Sequence, residues 1–509
     1  MNPHADLFHL PGAAASQVLA SPEIRTLLEC EVLPGYLARC RWFGGKAREP
    51  REFRTREWAA LAAARLALVE VTYGSGPAET YLLPLQCAAG MPAERLEREF
   101  PAAIVARFRE GGVLFDAVHA TDFRAALFSL IARGESMGGL FGLPGSGLGE
   151  GAPESRVLAV EQSNTAIVYG DSAFLKLYRR LEEGVNPDAE ILRHLGARGF
   201  PHVPPFRGTL ELRCAGRGPL LLALATGMIA NDGDAWSFTL RELARQLTCV
   251  RAGDLREAVR IETAYLARAV QLGERTGALH RALAADGADA DFAPEPLAAE
   301  DFDELAETTR TTLAQVLAQL RIRLGELDPA TRELASGVLA AEPALRTRIA
   351  ALGGPCFAAA KTRTHGDYHL GQVLNAGGDF VIMDFEGEPA KPLAERRRKR
   401  SPLRDVAGML RSFHYAAQSA LADFPEYRAE LEPHAGRWNE RVREAFLGAW
   451  VAATAGAAFV PAECADRSRL LGAFLLEKAL YEVAYELNNR PAWLGIPLRG
   501  VAQILRAAP

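Results

Sequence analysis

Two aspartates in this sequence fall where their spacing can do chemistry. The segment THGDYHLGQVL (364–374) carries Asp367, and after a short hairpin the run VIMDFE (381–386) carries Asp384. Phosphoryl transfer to an alcohol needs one carboxylate to orient the attacking hydroxyl and accept its proton. It also needs separate oxygen ligands that hold Mg²⁺ across the nucleotide phosphates. Asp367 suits the first task and Asp384 the second. Gln372 follows Asp367 by five positions and adds an amide oxygen able to ligate a second metal. His365 is close enough in sequence to Asp367 to orient the loop or to contact an acceptor hydroxyl. Alone, His365-Gly366-Asp367 reads as a turn and Asp384-Phe385-Glu386 as a buried strand end; together, at this spacing, they point to catalysis.

A second group lies upstream. Lys176 stands among apolar residues in Phe174-Leu175-Lys176-Leu177-Tyr178, where an isolated ammonium needs an anion or must reach outward. Nucleotide phosphates would supply that anion. Glu190, on the helix expected after Asn186-Pro187, is placed to pair with the lysine, with Glu182, Glu183 and Asp188 ranked behind it. The chain has no GxGxxG or Walker motif, so the phosphate cover falls to the turn Gln162-Ser163-Asn164-Thr165, with its backbone amides and hydroxyls.

These residues must be carried by ordered elements. Runs 156–162, 165–169 and 173–178 read as three strands, with Ser163-Asn164 and Gly170-Asp171 at hairpin turns, followed by a helix over 187–195. Further upstream the pattern predicts a helix over 21–33 stopped by Pro34, strands over 65–73 and 79–85, and helices over 93–109, broken at Pro101, and over 122–133. The glycine-rich stretch 138–151 reads as a flexible connector. Downstream, helical periodicity covers 255–285, 300–326, 330–351 and 467–488, around one strand-rich stretch at 372–385. On the last helix Lys478, Tyr481, Glu482 and Tyr485 recur at i, i+3, i+4 and i+7, so they share one face. Aromatic rings with polar tips suit a sugar; the two tyrosines suit core packing equally well.

Composition narrows the class. A chain of 509 residues with 49% hydrophobic and 24% charged side chains is long enough for two or three packed subdomains and too apolar for disorder as the main state. A net charge of -5 gives no overall attraction for nucleic acid, and the basic run Arg396-Arg397-Arg398-Lys399-Arg400 reads as a solvated loop or, beside the metal-binding strand, as a phosphate guide. Cys30, Cys40, Cys87, Cys214, Cys249, Cys356 and Cys464 form no CxxC pair, so neither a zinc site nor a disulfide framework is indicated. With no signal-peptide pattern and no apolar run of bilayer length, the expected location is the cytoplasm, with no membrane partner.

With those residues in order, the chain resembles the bacterial maltokinases, relatives of the aminoglycoside phosphotransferases within the protein-kinase-like fold. The resemblance is carried by Arg41-Trp42-Phe43-Gly44-Gly45-Lys46, Glu161-Gln162-Ser163-Asn164-Thr165, Lys176-Leu177-Tyr178-Arg179-Arg180, Gly184-Val185-Asn186-Pro187-Asp188, HGDYHLGQVL (365–374) and Asp384-Phe385-Glu386-Gly387-Glu388-Pro389. The runs 401–413 and 477–487 add to it. The resemblance implies a bilobal α+β architecture: an N-terminal cap over 1–92, an intermediate nucleotide-binding subdomain equivalent to the kinase N-lobe over 93–229, and a mainly helical C-lobe over 230–509. It implies ATP and Mg²⁺ as cofactors, maltose as acceptor, maltose 1-phosphate as a product feeding α-glucan synthesis, and a trehalose synthase as partner. The acceptor pocket is expected on C-lobe helices, and Asp405 is expected to brace the catalytic loop.

Two features depart from the maltokinase pattern: His414 stands where an acid is expected, and the hinge 224–230 is less polar. Both bear on the acceptor, so a glucosamine or other hexosamine kinase is the first rival. A catalytically silent sugar- or nucleotide-binding regulator is the rival from another class.

Overall fold

The computed structural model describes residues 7–14, 19–149, 151–158, 163–285, 287–352 and 357–506. They form two compact units. The first comprises Met1–Arg193 and Pro204–Ile229, and the second His194–Val203 and Ala230–Pro509.

The first unit holds two mainly antiparallel seven-stranded sheets. The first is built from β1 (His9–Leu10), β2 (Pro50–Leu61), β3 (Ala64–Tyr73), β4 (Glu79–Ala88), β5 (Ile104–Phe108) and β6 (Val113–Asp116), in the order β1-β5-β6-β4-β3-β2. The second contains β7 (Ser136–Met137), β8 (Leu140–Pro144), β9 (Ser155–Val157), β10 (Asn164–Tyr169) and β11 (Ala173–Tyr178). Then comes β12 (Arg180–Leu181), which returns to the first sheet beside β4, and β13 (Phe206–Leu212) and β14 (Leu220–Gly227) complete the second in the order β7-β8-β13-β14-β11-β10-β9. The first sheet does not stop at residue 92, where the sequence places the cap boundary, because β5 and β6 pair into it through Asp116.

Several local expectations change for physical reasons. Pro34 does not stop the first helix; it sits in the first turn of Leu33–Arg39, where a missing N–H costs little, after a wide π turn at Leu28–Val32. Ile24, Leu28, Val32, Tyr36 and Leu37 from this segment pack with Val69, Val71, Leu83 and Leu114 of the sheet in one core. The helix expected over 93–109 ends at Glu99, and after Pro101–Ala103 the chain is strand β5, so the break at Pro101 is real but the continuation is not helical. The glycines of 138–151 are not a loose linker: β8 runs through them, and at Gly142 a Cβ would lie 1.9 Å from the Leu130 carbonyl oxygen. Close packing of β8 on the Thr121–Arg133 helix requires glycine there.

The second unit is mainly helical. Ala235–Arg251, Leu255–Leu283, Ala299–Arg323, Leu403–Ala420, Arg428–Ala453, Cys464–Asn489 and Gly495–Arg506 are its principal helices. The helix expected over 330–351 divides into Pro329–Ala340 and Glu342–Ala350, since Pro343 enters the first turn of a new helix instead of donating to the old one. The strand-rich stretch is a two-stranded hairpin, Val373–Ala376 with Asp379–Ile382. Its two-residue turn, Gly377-Gly378, has φ of 56° and 81°, the geometry that matches strand twist. No helix among the described residues is long and apolar enough to cross a membrane.

Candidate active site

The second unit fixes the catalytic loop through one buried chain of hydrogen bonds. Trp450 Nε1 donates to His280 Nδ1 at 2.9 Å, which leaves the proton of that ring on Nε2, facing Asp405 Oδ2 at 3.2 Å. Asp405 then accepts the His365 N–H at 2.7 Å and the Gly366 N–H at 3.0 Å. Burial disfavours its charge, but the hydrogen bond from His280, with that from the Gly366 N–H, outweighs burial and lowers its pKa. Asp405 is therefore the brace that the sequence suggests.

His365 differs from the catalytic role expected of it. It is 1% exposed, packed between Tyr368 and Phe385, and its Nε2 lies 3.0 Å from the Met383 carbonyl. A carbonyl only accepts, so Nε2 carries the proton and ties the Asp367 loop to the residue before Asp384. A side chain this deep positions the loop and does not meet an acceptor.

Asp367 is half-buried and receives a hydrogen bond from Lys478 Nζ at 3.3 Å on Oδ1. Burial pushes its pKa up, but the charge of Lys478 wins, so it is held below the usual carboxylate value and stays ionised. Lys478 also lies 3.6 Å from Glu388, which is held in turn by Arg404 at 3.0 Å and Lys391 at 3.4 Å. His369, which sequence reading passed over, brings Nε2 within 3.9 Å of the other Asp367 oxygen. Of the proposed acceptor stripe, Tyr481 and Tyr485 are 37% and 43% exposed with rings stacked at 6.4 Å, so they are not core residues. Lys478 lies 5.2 Å from the Tyr481 ring. Glu482 shares their helix but gives Oε2 to both Nε and Nη2 of Arg411, at 2.9 and 2.6 Å.

Asp384 adopts φ of 68°, a left-handed conformation that costs a non-glycine residue about 1 kcal/mol or more and is retained where the surroundings impose it. It and Glu386 bring carboxylate oxygens within 4.8 Å of one another, so Glu386 joins the candidate metal ligands; it stands in the same DFE run that singled out Asp384. Gln372 follows through its backbone, its carbonyl accepting the Met383 N–H at 3.0 Å. The two carboxylates are hard oxygen donors of the kind Mg²⁺ takes.

In the first unit Lys176 lies in the middle of β11, between Ala166 of β10 and Leu224 of β14. Its ammonium donates to Asp188 Oδ2 at 3.0 Å, and the Tyr178 hydroxyl donates to the same oxygen at 3.0 Å. Asp188, ranked behind Glu190 by sequence, is thus a partner of this ammonium, and Asn186 Oδ1 accepts its N–H where the chain enters the helix that starts at Pro187. Glu190 is buried on the same helix. Ser163 is exposed and Asn164 opens β10, so no two-residue turn forms at 163–164. Thr165 is 2% exposed with its hydroxyl accepting from Arg179 Nε at 2.8 Å, so its side chain faces the interior and not a phosphate at the surface. Gln162 lies outside the described residues.

Four of the five cations of the basic run are paired with carboxylates of the second unit. Arg397 meets Asp291 at 3.3 Å, Arg398 meets Glu304 at 2.6 Å, Lys399 meets Glu295 at 2.6 Å and Arg400 meets Glu304 at 3.3 Å. Hydrogen bonds from Arg398 are the main cause that holds Glu304 down to a pKa of about 2.

Residues 36–119 match the maltokinase N-terminal cap domain. The glucosamine kinase of Streptacidiphilus jiangxiensis is 27% identical over 69% of this chain and 73% of its own length. A glucosamine kinase solved in complex with glucosamine, ADP and inorganic phosphate is 21% identical and superposes with a TM-score of 0.64 over 92% of this chain and 98% of that one. A second crystal form is similar, at 20% identity with a TM-score of 0.65. The bilobal, protein-kinase-like α+β fold with an added N-terminal cap is thus the fold of this chain. The glucosamine kinase of Mycolicibacterium smegmatis is 30% identical over 67% of this chain and 77% of its own length. By that likeness, the cap match and the catalytic loop, the chain belongs to the maltokinase-like family of aminoglycoside phosphotransferase relatives that includes the M. smegmatis enzyme.

Proposed function

We propose that this protein is an Mg-ATP-dependent sugar kinase that transfers the γ-phosphoryl group to maltose, giving maltose 1-phosphate for α-glucan synthesis. The observation that carries the reading is Asp367: an ionised carboxylate, hydrogen-bonded by Lys478, at the end of a helix face that presents Tyr481 and Tyr485 to solvent.

Asp367 orients the anomeric hydroxyl and accepts its proton as that oxygen attacks phosphorus in line. Lys176, held by Asp188, neutralises charge on the phosphates. Asp384 and Glu386, with Gln372, would hold Mg²⁺, which supplies charge neutralisation at the transferring group. His365 and Asp405 keep the loop in shape and touch no reactant.

The choice of acceptor rests on charge. Glu388 already faces Arg404, Lys391 and Lys478, and Glu482 faces Arg411. Lys478 itself stands against Asp367. A cationic amino sugar would meet this ammonium with the neighbouring acids already engaged, whereas a neutral disaccharide avoids the repulsion and stacks on the tyrosines. The glucosamine kinase relatives support a second reading, glucosamine as acceptor, on the same machinery. ADP release with Mg-ATP against maltose, glucose, glucosamine, trehalose and kanamycin separates the two. Activity with maltose and little with glucosamine is expected; activity confined to glucosamine would replace the acceptor and keep the mechanism.

A further inference from the structure

The segment Arg41-Trp42-Phe43-Gly44-Gly45-Lys46 and the cap sheet have no part in the chemistry above, yet they meet the lysine strand at one residue. From Lys176 the chain runs through Tyr178 and leaves the second sheet at Arg179, then enters the first as β12, with Arg180 opposite Tyr81 of β4. At the crossing the Leu82 N–H donates to the Arg179 carbonyl at 2.7 Å. Arg179 is 1% exposed, and its side chain bridges both sheets. Nη2 donates to Asp116 Oδ2, at the end of β6, at 2.6 Å; Nε donates to Thr165 Oγ1, on β10, at 2.8 Å; and the guanidinium lies 4.8 Å from the Trp42 ring. Its backbone N–H faces Asn164 Oδ1 at 3.4 Å.

A buried ion pair of this kind is an inefficient way to add stability, because desolvation consumes most of the Coulomb gain, whereas removing one partner leaves an uncompensated charge. What it does supply is a fixed register. One guanidinium sets where β10 begins and where β11 ends, and these two ends flank Ser163 and Lys176. We propose that Arg179, paired with Asp116 and stacked on Trp42, is a positioning residue for the nucleotide phosphates, so that the cap sheet acts as the mount of Lys176. The proposal rests on the reading of Lys176 as a phosphate-binding residue.

The test is calorimetric binding of Mg·ADP to the full chain, together with the KM for ATP, in Lys176→Ala, Asp116→Asn, Thr165→Val, Arg179→Lys and Arg107→Ala. The last breaks a cap ion pair, Arg107 with Glu97 at 2.7 Å, away from the crossing. Asp116→Asn is isosteric, and it should weaken Mg·ADP binding and raise the KM for ATP by about tenfold, with kcat and the acceptor KM unchanged. Thr165→Val should act in the same direction to a smaller extent, Arg179→Lys should recover part of the affinity, and Arg107→Ala should bind as wild type. Wild-type nucleotide affinity in folded Asp116→Asn, or in Thr165→Val should the former not fold, overturns the proposal when Lys176→Ala is impaired. Wild-type affinity in Lys176→Ala overturns the nucleotide reading itself, and the mount with it.

Discussion

The two units assemble their parts of the chemistry in opposite ways. The second draws nearly all of its reactive groups from one continuous run, 365–388, and holds that run from beneath with Asp405, His280 and Trp450. The first gathers its groups from far apart in sequence: Trp42, Asp116, Thr165, Arg179 and Asp188 all bear on the setting of Lys176. A catalytic base tolerates little displacement and is served by local backbone hydrogen bonds, while a phosphate-neutralising cation needs a fixed sheet more than a fixed loop.

The largest effect should come from the contiguous side. Asp367→Asn is expected to cut turnover by roughly 10²-fold or more while leaving fold and nucleotide binding close to wild type, as measured by ADP release and calorimetry. Next is the brace beneath it. Asp405→Ala removes a buried carboxylate that serves His280 and two backbone N–H groups, and should destabilise the chain by about 3 kcal/mol in urea unfolding. Because its folded pKa is lowered, the wild-type contribution of Asp405 is present above its ordinary value of 3.8 and is lost as pH falls through the folded value. On the dispersed side, Lys176→Ala should raise the KM for ATP by about tenfold, and an effect confined to kcat would erase the contrast between the units.

Two finer tests concern the acceptor side. Lys478→Met removes the main charge holding the Asp367 pKa down, so the acid limb of the kcat/KM profile should move to higher pH; an unmoved limb would assign that limb to another group. Tyr485→Ala removes one ring of the exposed stack and should raise the maltose KM by only a few fold, about 1 kcal/mol, without changing kcat.

How much of this was visible in sequence follows the same division. Asp367, Asp384 and Lys176 are singled out in sequence by short motifs, and the bracing of the loop by Asp405, expected from the resemblance, is displayed by its hydrogen bonds to the His365 and Gly366 N–H groups. The helices Leu255–Leu283, Ala299–Arg323 and Cys464–Asn489 are legible because amphipathic periodicity survives burial on one face, whereas Ala235–Arg251, Leu403–Ala420, Arg428–Ala453 and Gly495–Arg506 are not read as helices from the sequence. The rest required three dimensions. Glu388 and Arg404 sit within the recognised runs, but only packing shows that they surround Lys478. Arg179 reads as one more basic residue after a strand until its burial against Asp116 is known. The strand at Leu140–Pro144 was hidden because glycine content signals flexibility in sequence, whereas here it permits close backbone approach to Leu130. Strand β5 was masked by a helical pattern upstream, since the ends of elements are decided by pairing partners distant in sequence.

The central claim is that Asp367 activates an acceptor hydroxyl for transfer from Mg-ATP, and its most direct measurement is acceptor-dependent ADP release by wild type and Asp367→Asn side by side, with calorimetry confirming that both bind nucleotide. Maltose-stimulated release in the wild type that falls by roughly 10²-fold or more in the variant is the expected result. Equal stimulated release by both proteins, or no stimulation of either by any sugar, would contradict it.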